Sequence, residues 1–155
     1  MDHIIFRTAQ ASDLAAIIGL LADDPLGAQR ETVTPAGSPP AACYIDAFKA
    51  IAADANQQLV VAVDNGIVVG TLQLSFIPGI ARRGAWRGQI EAVRIAATHR
   101  SAGLGQHMFE WAIELCRAHG CHLVQLTTDK GRPDAHRFYE RLGFVASHEG
   151  YKLAL

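Results

Sequence analysis

Long hydrophobic runs, an excess of charge of one sign and paired cysteines are all missing from this 155-residue chain, although half of its residues are hydrophobic. The longest apolar stretches, such as Leu59–Val63 and Ile67–Val69, fall far short of the roughly 18 residues that cross a bilayer, so no transmembrane helix and no membrane partner are expected. The N-terminus opens Met1-Asp2-His3, with an acid where a secretory leader carries bases, and a cytoplasmic location is expected. Fourteen Lys and Arg face fifteen Asp and Glu. Duplex nucleic acid needs a clustered basic excess, so a nucleic-acid partner is excluded and any anion site must be local. Cys43, Cys116 and Cys121 are odd in number and lack CxxC spacing, which argues for reduced, buried thiols over a disulfide framework. One domain over residues 1–155 is long enough to fold without a disulfide or metal.

What is present is an ordered alternation of patterns. Ile4–Thr8 reads as a strand, and Ser12 opens a helix with Leu14, Ile17, Ile18 and Leu21 at helical spacing, stopped by Asp23-Asp24-Pro25. A Gly, Pro, Ser and Thr-rich loop follows to Pro40, then an alanine-rich helix over Ala41–Ala55. Two Val, Leu and Ile-rich runs, Gln58–Val63 and Ile67–Phe76, flank Asp64-Asn65-Gly66, a strong hairpin signal. Gly88–Ala96 reads as a strand, Leu104 to Cys116 as a helix capped by Gly120, Cys121–Thr127 as a strand and Asp134–Leu142 as a short helix. Phe144–Val145 and Tyr151–Leu155 read as terminal strands. The expected fold class is α/β, a single-domain, mixed but largely antiparallel sheet flanked by helices.

The sharpest local motif is Arg100-Ser101-Ala102-Gly103-Leu104-Gly105, between a strand and a helix. Glycines there admit a ligand close to the backbone. The unpaired N–H groups at the positive end of the helix then make an anion site, and Arg100 adds a forked cation. Neither a Rossmann fingerprint nor a P-loop is present. Further on comes Asp134-Ala135-His136-Arg137-Phe138-Tyr139-Glu140-Arg141-Leu142-Gly143-Phe144.

Together the two motifs resemble the GNAT superfamily of N-acetyltransferases. Its acetyl-CoA motif reads Arg or Gln, x, x, Gly, x, Gly or Ala, and its next motif ends Ala-x-x-x-Tyr-x-x-x-Gly-Phe, matched by Ala135, Tyr139, Gly143 and Phe144. The resemblance implies the acyl-CoA N-acyltransferase fold, acetyl-CoA as cosubstrate, and backbone pairing of Val93, Arg94 and Ile95 with the pantetheine arm. It implies that the diphosphate is held by Arg100, Ser101, Ala102, Gly103, Leu104 and Gly105. Tyr139 matches the general acid for the departing thiolate, a role suited to a phenol whose ordinary pKa is about 10. Many members carry Asn seven residues before that tyrosine. This chain has Arg132, a cation for phosphate or substrate.

An alkylammonium must lose a proton before it attacks a thioester. Glu91, a lone acid in the apolar strand before Val93, is the candidate base, with an ion pair to Arg94 or Arg87 as the structural alternative. Period-two alternation places it on one face with Val93 and Ile95. Cys116, His119, Cys121 and His122 straddle Gly120 with diverging directions, so no metal is expected. His99 is a candidate neighbour of the CoA phosphates. Arg82, Arg83, Trp86 and Arg87 read as a rim of the acceptor site, a dimer contact or a solvated turn. Glu31 or Asp46 is available to hold a cationic amine. The expected function is transfer of an acetyl group from acetyl-CoA to a primary amine of a small molecule or peptide by direct attack in a ternary complex, with a homodimer as the default assembly. The alternative is a non-catalytic acyl-CoA-binding or sensing module.

Overall fold

The two-residue turn Asn65-Gly66 has positive φ at both positions, 47° and 84°. This geometry twists with the strands it joins. It closes β2 (Gln57–Asp64) onto β3 (Ile67–Ile77) in the antiparallel ladder expected of Asp-Asn-Gly. The computed structural model describes residues 3–155. In it β1 (Ile4–Thr8) adds to β2, β4 (Trp86–Ile95) adds antiparallel to β3, and β5 (Cys121–Leu126) runs parallel to β4, giving the order β1-β2-β3-β4-β5. The parallel pair needs a crossover, supplied by α4 (Leu104–Ala118). No described helix is long and apolar enough to cross a membrane.

Each face of the sheet buries a different layer. On one side Val60, Leu72, Leu74, Phe76 and Ile90 pack against Leu104, Met108, Phe109, Ala112 and Cys116, the helical stripe of α4, with α5 (Pro133–Arg141) contributing Phe138 and Tyr139. On the other, Leu59, Val61 and Val63 meet Ile17 and Leu21 of α1 (Leu14–Ala22) and Phe48 and Ile51 of α2 (Ala42–Ala53). Gly88 is required where α4 crosses β4, since a Cβ there would lie 2.3 Å from the Cys116 Sγ. Between β3 and β4 a single turn, α3 (Ala81–Gly84), holds Arg82 and Arg83 in left-handed backbone with their side chains exposed.

Two expectations fail. Beyond Gly143 the chain forms no strand, so the terminal strands Phe144–Val145 and Tyr151–Leu155 are absent. Val145, Tyr151, Leu153 and Leu155 are exposed and have no sheet face to pack on, so their apolar character yields no ladder. Cys43 is exposed; of the three thiols only Cys116 is fully buried, and burial pushes it up to about 12.

Candidate active site

The site begins where the β4–β5 ladder ends. Paired rungs run from Trp86 with Cys121 to Ile90 with Leu126, and β4 continues to Ile95 with β3 as its only partner among the described residues. Glu91 to Ile95 therefore offer an edge free of β5, available to an extended ligand bearing amides. A bulge interrupts this stretch. Gln73 pairs with Glu91 and Thr71 with Arg94, so Leu72 alone faces both Ala92 and Val93, and Ala92 adopts φ 53°.

The bulge corrects the parity expected for Glu91. Cross-strand partners share a face, so Glu91 and Arg94, opposite Gln73 and Thr71, lie together on the α1/α2 face. Ile90 and Ile95, opposite Leu74 and Gly70, lie on the α4 face. Glu91 is exposed and has no ion pair among the described residues. Arg94 turns to Asp24 instead.

A cavity of about 440 Å³ opens beside this edge, lined by Asp24, Pro25, Leu26, Val93, Arg94, Ile95, Arg100, Gly131 and Arg132. Thus Val93, Arg94, Ile95, Arg100 and Arg132 come together on one cavity. Of the loop into α4 only Arg100 lines the cavity; the residues after it include two left-handed ones, Ser101 (φ 64°) and Gly103 (φ 83°), before the first helical N–H groups of α4. Exposed amides in such a turn form a concavity for an anion. The free edge and this loop fit the pantetheine and diphosphate of acetyl-CoA.

Two acids that read only as a helix stop complete the site. Asp23 Oδ2 accepts from Arg100 Nη2 at 2.7 Å, while Arg100 Nε donates to the Ile95 carbonyl at 3.0 Å. Asp24 Oδ2 accepts from Arg132 Nη2 at 2.8 Å and pairs with Arg94 Nη2 at 3.2 Å, and its Oδ1 accepts from the Gly27 N–H at 2.6 Å. Burial pushes the Asp24 carboxyl up, but Gly27, Arg132 and Arg94 outweigh this and hold it below the usual carboxylate range. The signal was present. Two acids at a helix C-terminus oppose the dipole and invite cationic partners.

Tyr139 lies in an aromatic cluster, its ring centroid 5.5 Å from those of Phe109 and Phe138 and 6.1 Å from Phe144. Burial raises its pKa above the ordinary phenol value, opposed by the charges of Arg132 and Arg94. The phenol is therefore protonated at neutral pH. Neither Tyr139 nor Glu91 is among the residues that line the cavity, and the other candidates lie elsewhere. His99 Nε2 meets Asp64 Oδ2 at 3.1 Å, beside the hairpin turn. Glu31 accepts from the Tyr44 hydroxyl at 2.7 Å, and neither it nor Asp46 lines the cavity. Arg82, Trp86 and Arg87 line a separate hollow of about 110 Å³.

The sequence model of the Acetyltransferase (GNAT) family matches residues 27–144. The chain belongs to this GNAT family. It is 34% identical to the aminoalkylphosphonate N-acetyltransferase of Salmonella typhimurium over 112 residues, 72% of each chain. It is 36% identical to the glucosamine 6-phosphate N-acetyltransferase of Trypanosoma brucei brucei over 91 residues, 58% of this chain and 59% of that protein. Among solved structures it is similar to one from Bacillus halodurans C-125 described as a transcriptional regulator, with TM-score 0.94 and 46% identity over 99% of this chain and 100% of that one. The GNAT match and its named N-acetyltransferase relatives make the chain an acetyltransferase.

Proposed function

We propose that this GNAT protein transfers the acetyl group of acetyl-CoA to a small primary amine, the amine attacking directly with both substrates bound. The free Glu91–Ile95 edge of β4, opening on the arginine-lined cavity, carries the reading. Acetyl-CoA supplies a thioester carbonyl. Backbone groups of Val93, Arg94 and Ile95 hold its extended arm, and the N–H groups from Ser101 to Gly105, with Arg100, hold its diphosphate. Glu91 takes the proton that the attacking nitrogen must lose, directly or through water. As the new C–N bond forms and the C–S bond breaks, Tyr139 gives its proton to the sulfur. Both curated relatives are named for small amines bearing phosphonate or phosphate, which supports a small-molecule acceptor over a protein.

Tyr139→Phe tests the assignment. It removes only the hydroxyl from a ring held by its aromatic neighbours. Turnover with acetyl-CoA and an accepted amine should fall about a hundredfold or more while CoA affinity stays within about twofold. An unchanged kcat would remove Tyr139 from the mechanism. The Bacillus relative described as a transcriptional regulator favours a second reading, an acyl-CoA-binding module without turnover. That reading requires CoA binding with no thiol release from acetyl-CoA across a panel of amines.

A further inference from the structure

The sheet face that carries Glu91 also carries a row of uncharged polar side chains. Gln57 of β2 pairs with Ser75 of β3, Ser75 with Gln89 of β4, and Gln89 with Gln125 of β5. Cross-strand partners share a face, so these residues lie side by side across the sheet, about 4.8 Å from one strand to the next. Gln89 is two residues from Glu91 on the same strand, so the row lies about 7 Å along β4 from that carboxylate. The apolar layer beneath α1 and α2 reaches Leu59, next to Gln57 on this face. Ser75 is buried between its neighbours, while Gln57, Gln89 and Gln125 stay partly exposed. None of them lines the cavity at the free end of β4.

The amides orient one another. Gln57 Oε1 accepts from Gln73 Nε2 at 3.1 Å and from Ser75 Oγ at 2.8 Å, and Gln89 Oε1 accepts from Gln125 Nε2 at 2.8 Å. Among the described residues this leaves Nε2 of Gln57 and Gln89 as unused donors, and Oε1 of Gln73 and Gln125 as unused acceptors. A phosphate or carboxylate only accepts, and it would meet the two carbonyl oxygens; an ammonium only donates, and it would meet the two amide donors. A hydroxyl does both, so it suits every position of the row. In the other direction from Glu91 the strand bulges at Ala92 and Arg94 is tied to Asp24. A molecule whose nitrogen sits at Glu91 therefore extends towards Gln89.

We infer that this row is the recognition surface for the acceptor, and that the acceptor is a primary amine on a hydroxylated carbon chain, an aminopolyol. Its hydroxyls accept from Gln89 Nε2 and donate to Gln125 Oε1, while the chain covers the interval back to Glu91. The inference rests on the acetyltransferase reading with Glu91 as base and adds the residues that select the acceptor. Gln89 and Gln125 act on specificity and do not touch the reacting atoms.

The test uses primary amines of equal chain length that differ in the chemistry of the body: glucamine (1-amino-1-deoxyglucitol) is hydroxylated, hexylamine apolar, 6-aminohexanoate anionic and hexane-1,6-diamine cationic. Thiol release from acetyl-CoA should give glucamine the highest kcat/KM, about tenfold or more above each of the others. Gln89→Leu and Gln125→Leu should each shrink the ratio of glucamine to hexylamine about tenfold or more, while KM for acetyl-CoA stays within about twofold. The amines' own reactivities cancel, because the ratio is compared between variant and wild type. Gln89→Met and Gln125→Met serve where leucine does not fold. An unchanged ratio in both variants overturns the surface, as does a preference for the anionic amine, the diamine or the peptide trialanine over glucamine. If none of these amines is acetylated, the enzymatic reading fails separately, and calorimetric titration of the CoA-bound protein with glucamine decides the row. Binding that Gln89→Leu weakens about tenfold or more upholds it, and no binding, or binding that the variant leaves unchanged, overturns it.

Discussion

Ile90 of β4 faces Leu126 of β5 at the last rung of the parallel ladder, and β4 runs five residues further with no partner on that side. Edge amides left unpaired in a sheet exchange with solvent unless a ligand covers them. Hydrogen exchange followed by mass spectrometry should therefore show rapid uptake in a peptide covering Glu91–Ile95 and slow uptake in one covering Val60–Val63 of β2, which β1 and β3 pair on both sides. Adding CoA should slow the first and leave the second unchanged. Equal uptake with and without saturating CoA would separate this edge from cofactor binding.

Glu91 is exposed and has no ion-paired partner among the described residues, so replacing it disturbs little else. Glu91→Gln should leave the thermal midpoint within about 1 °C, since exposed substitutions rarely change stability much. It should lower kcat/KM for the amine about a hundredfold while CoA affinity stays within about twofold. An unchanged kcat/KM would assign the proton transfer to another group.

The hairpin, the helical stripes and the glycine loop were legible because each rests on local chemistry: positive φ at Asn65-Gly66, apolar spacing from Leu104 to Cys116, and left-handed Gly103 opening α4. The face of Glu91 was not legible. The bulge that shifts it is built on Ala92, whose φ of 53° no residue type announces. The tail misled because alternating Tyr151, Leu153 and Leu155 show that a strand is possible without showing a partner edge. Asp23 and Asp24 were read as punctuation because their partners, Arg94, Arg100 and Arg132, are roughly 70 to 110 residues away in sequence.

Gly88 and Cys116 make a contact whose energy can be isolated. A Cβ at Gly88 would lie 2.3 Å from the Cys116 Sγ and 3.3 Å from its Cβ. Gly88→Ala should destabilise by about 2 kcal/mol through overpacking. Cys116→Ala alone should cost about 1 kcal/mol for the lost buried sulfur. Together they should cost less than the sum by about 1 kcal/mol or more, because removing the sulfur relieves the clash. Additive costs in urea unfolding would show that α4 shifts away instead.

Arg7 of β1 holds Asp13, at the entry to α1, through two parallel bonds of 2.6 and 3.0 Å, and the Gln10 N–H adds a third at 2.7 Å. The bond from Arg7 outweighs the opposing effect of burial, and with the Gln10 N–H it holds the Asp13 carboxyl below its usual range. A carboxyl depressed by folding adds stability above its unfolded pKa and loses it as pH falls through its folded pKa. Asp13→Asn keeps the shape and an acceptor but removes the charge. At pH 7 it should cost about 2 kcal/mol in urea unfolding. The gap should begin to close below about pH 4, the ordinary carboxylate range, and continue closing as the wild-type carboxyl itself takes up a proton. A gap that stays constant through the acid range would mean that the asparagine is penalised for its hydrogen-bond geometry and that the charge contributes nothing.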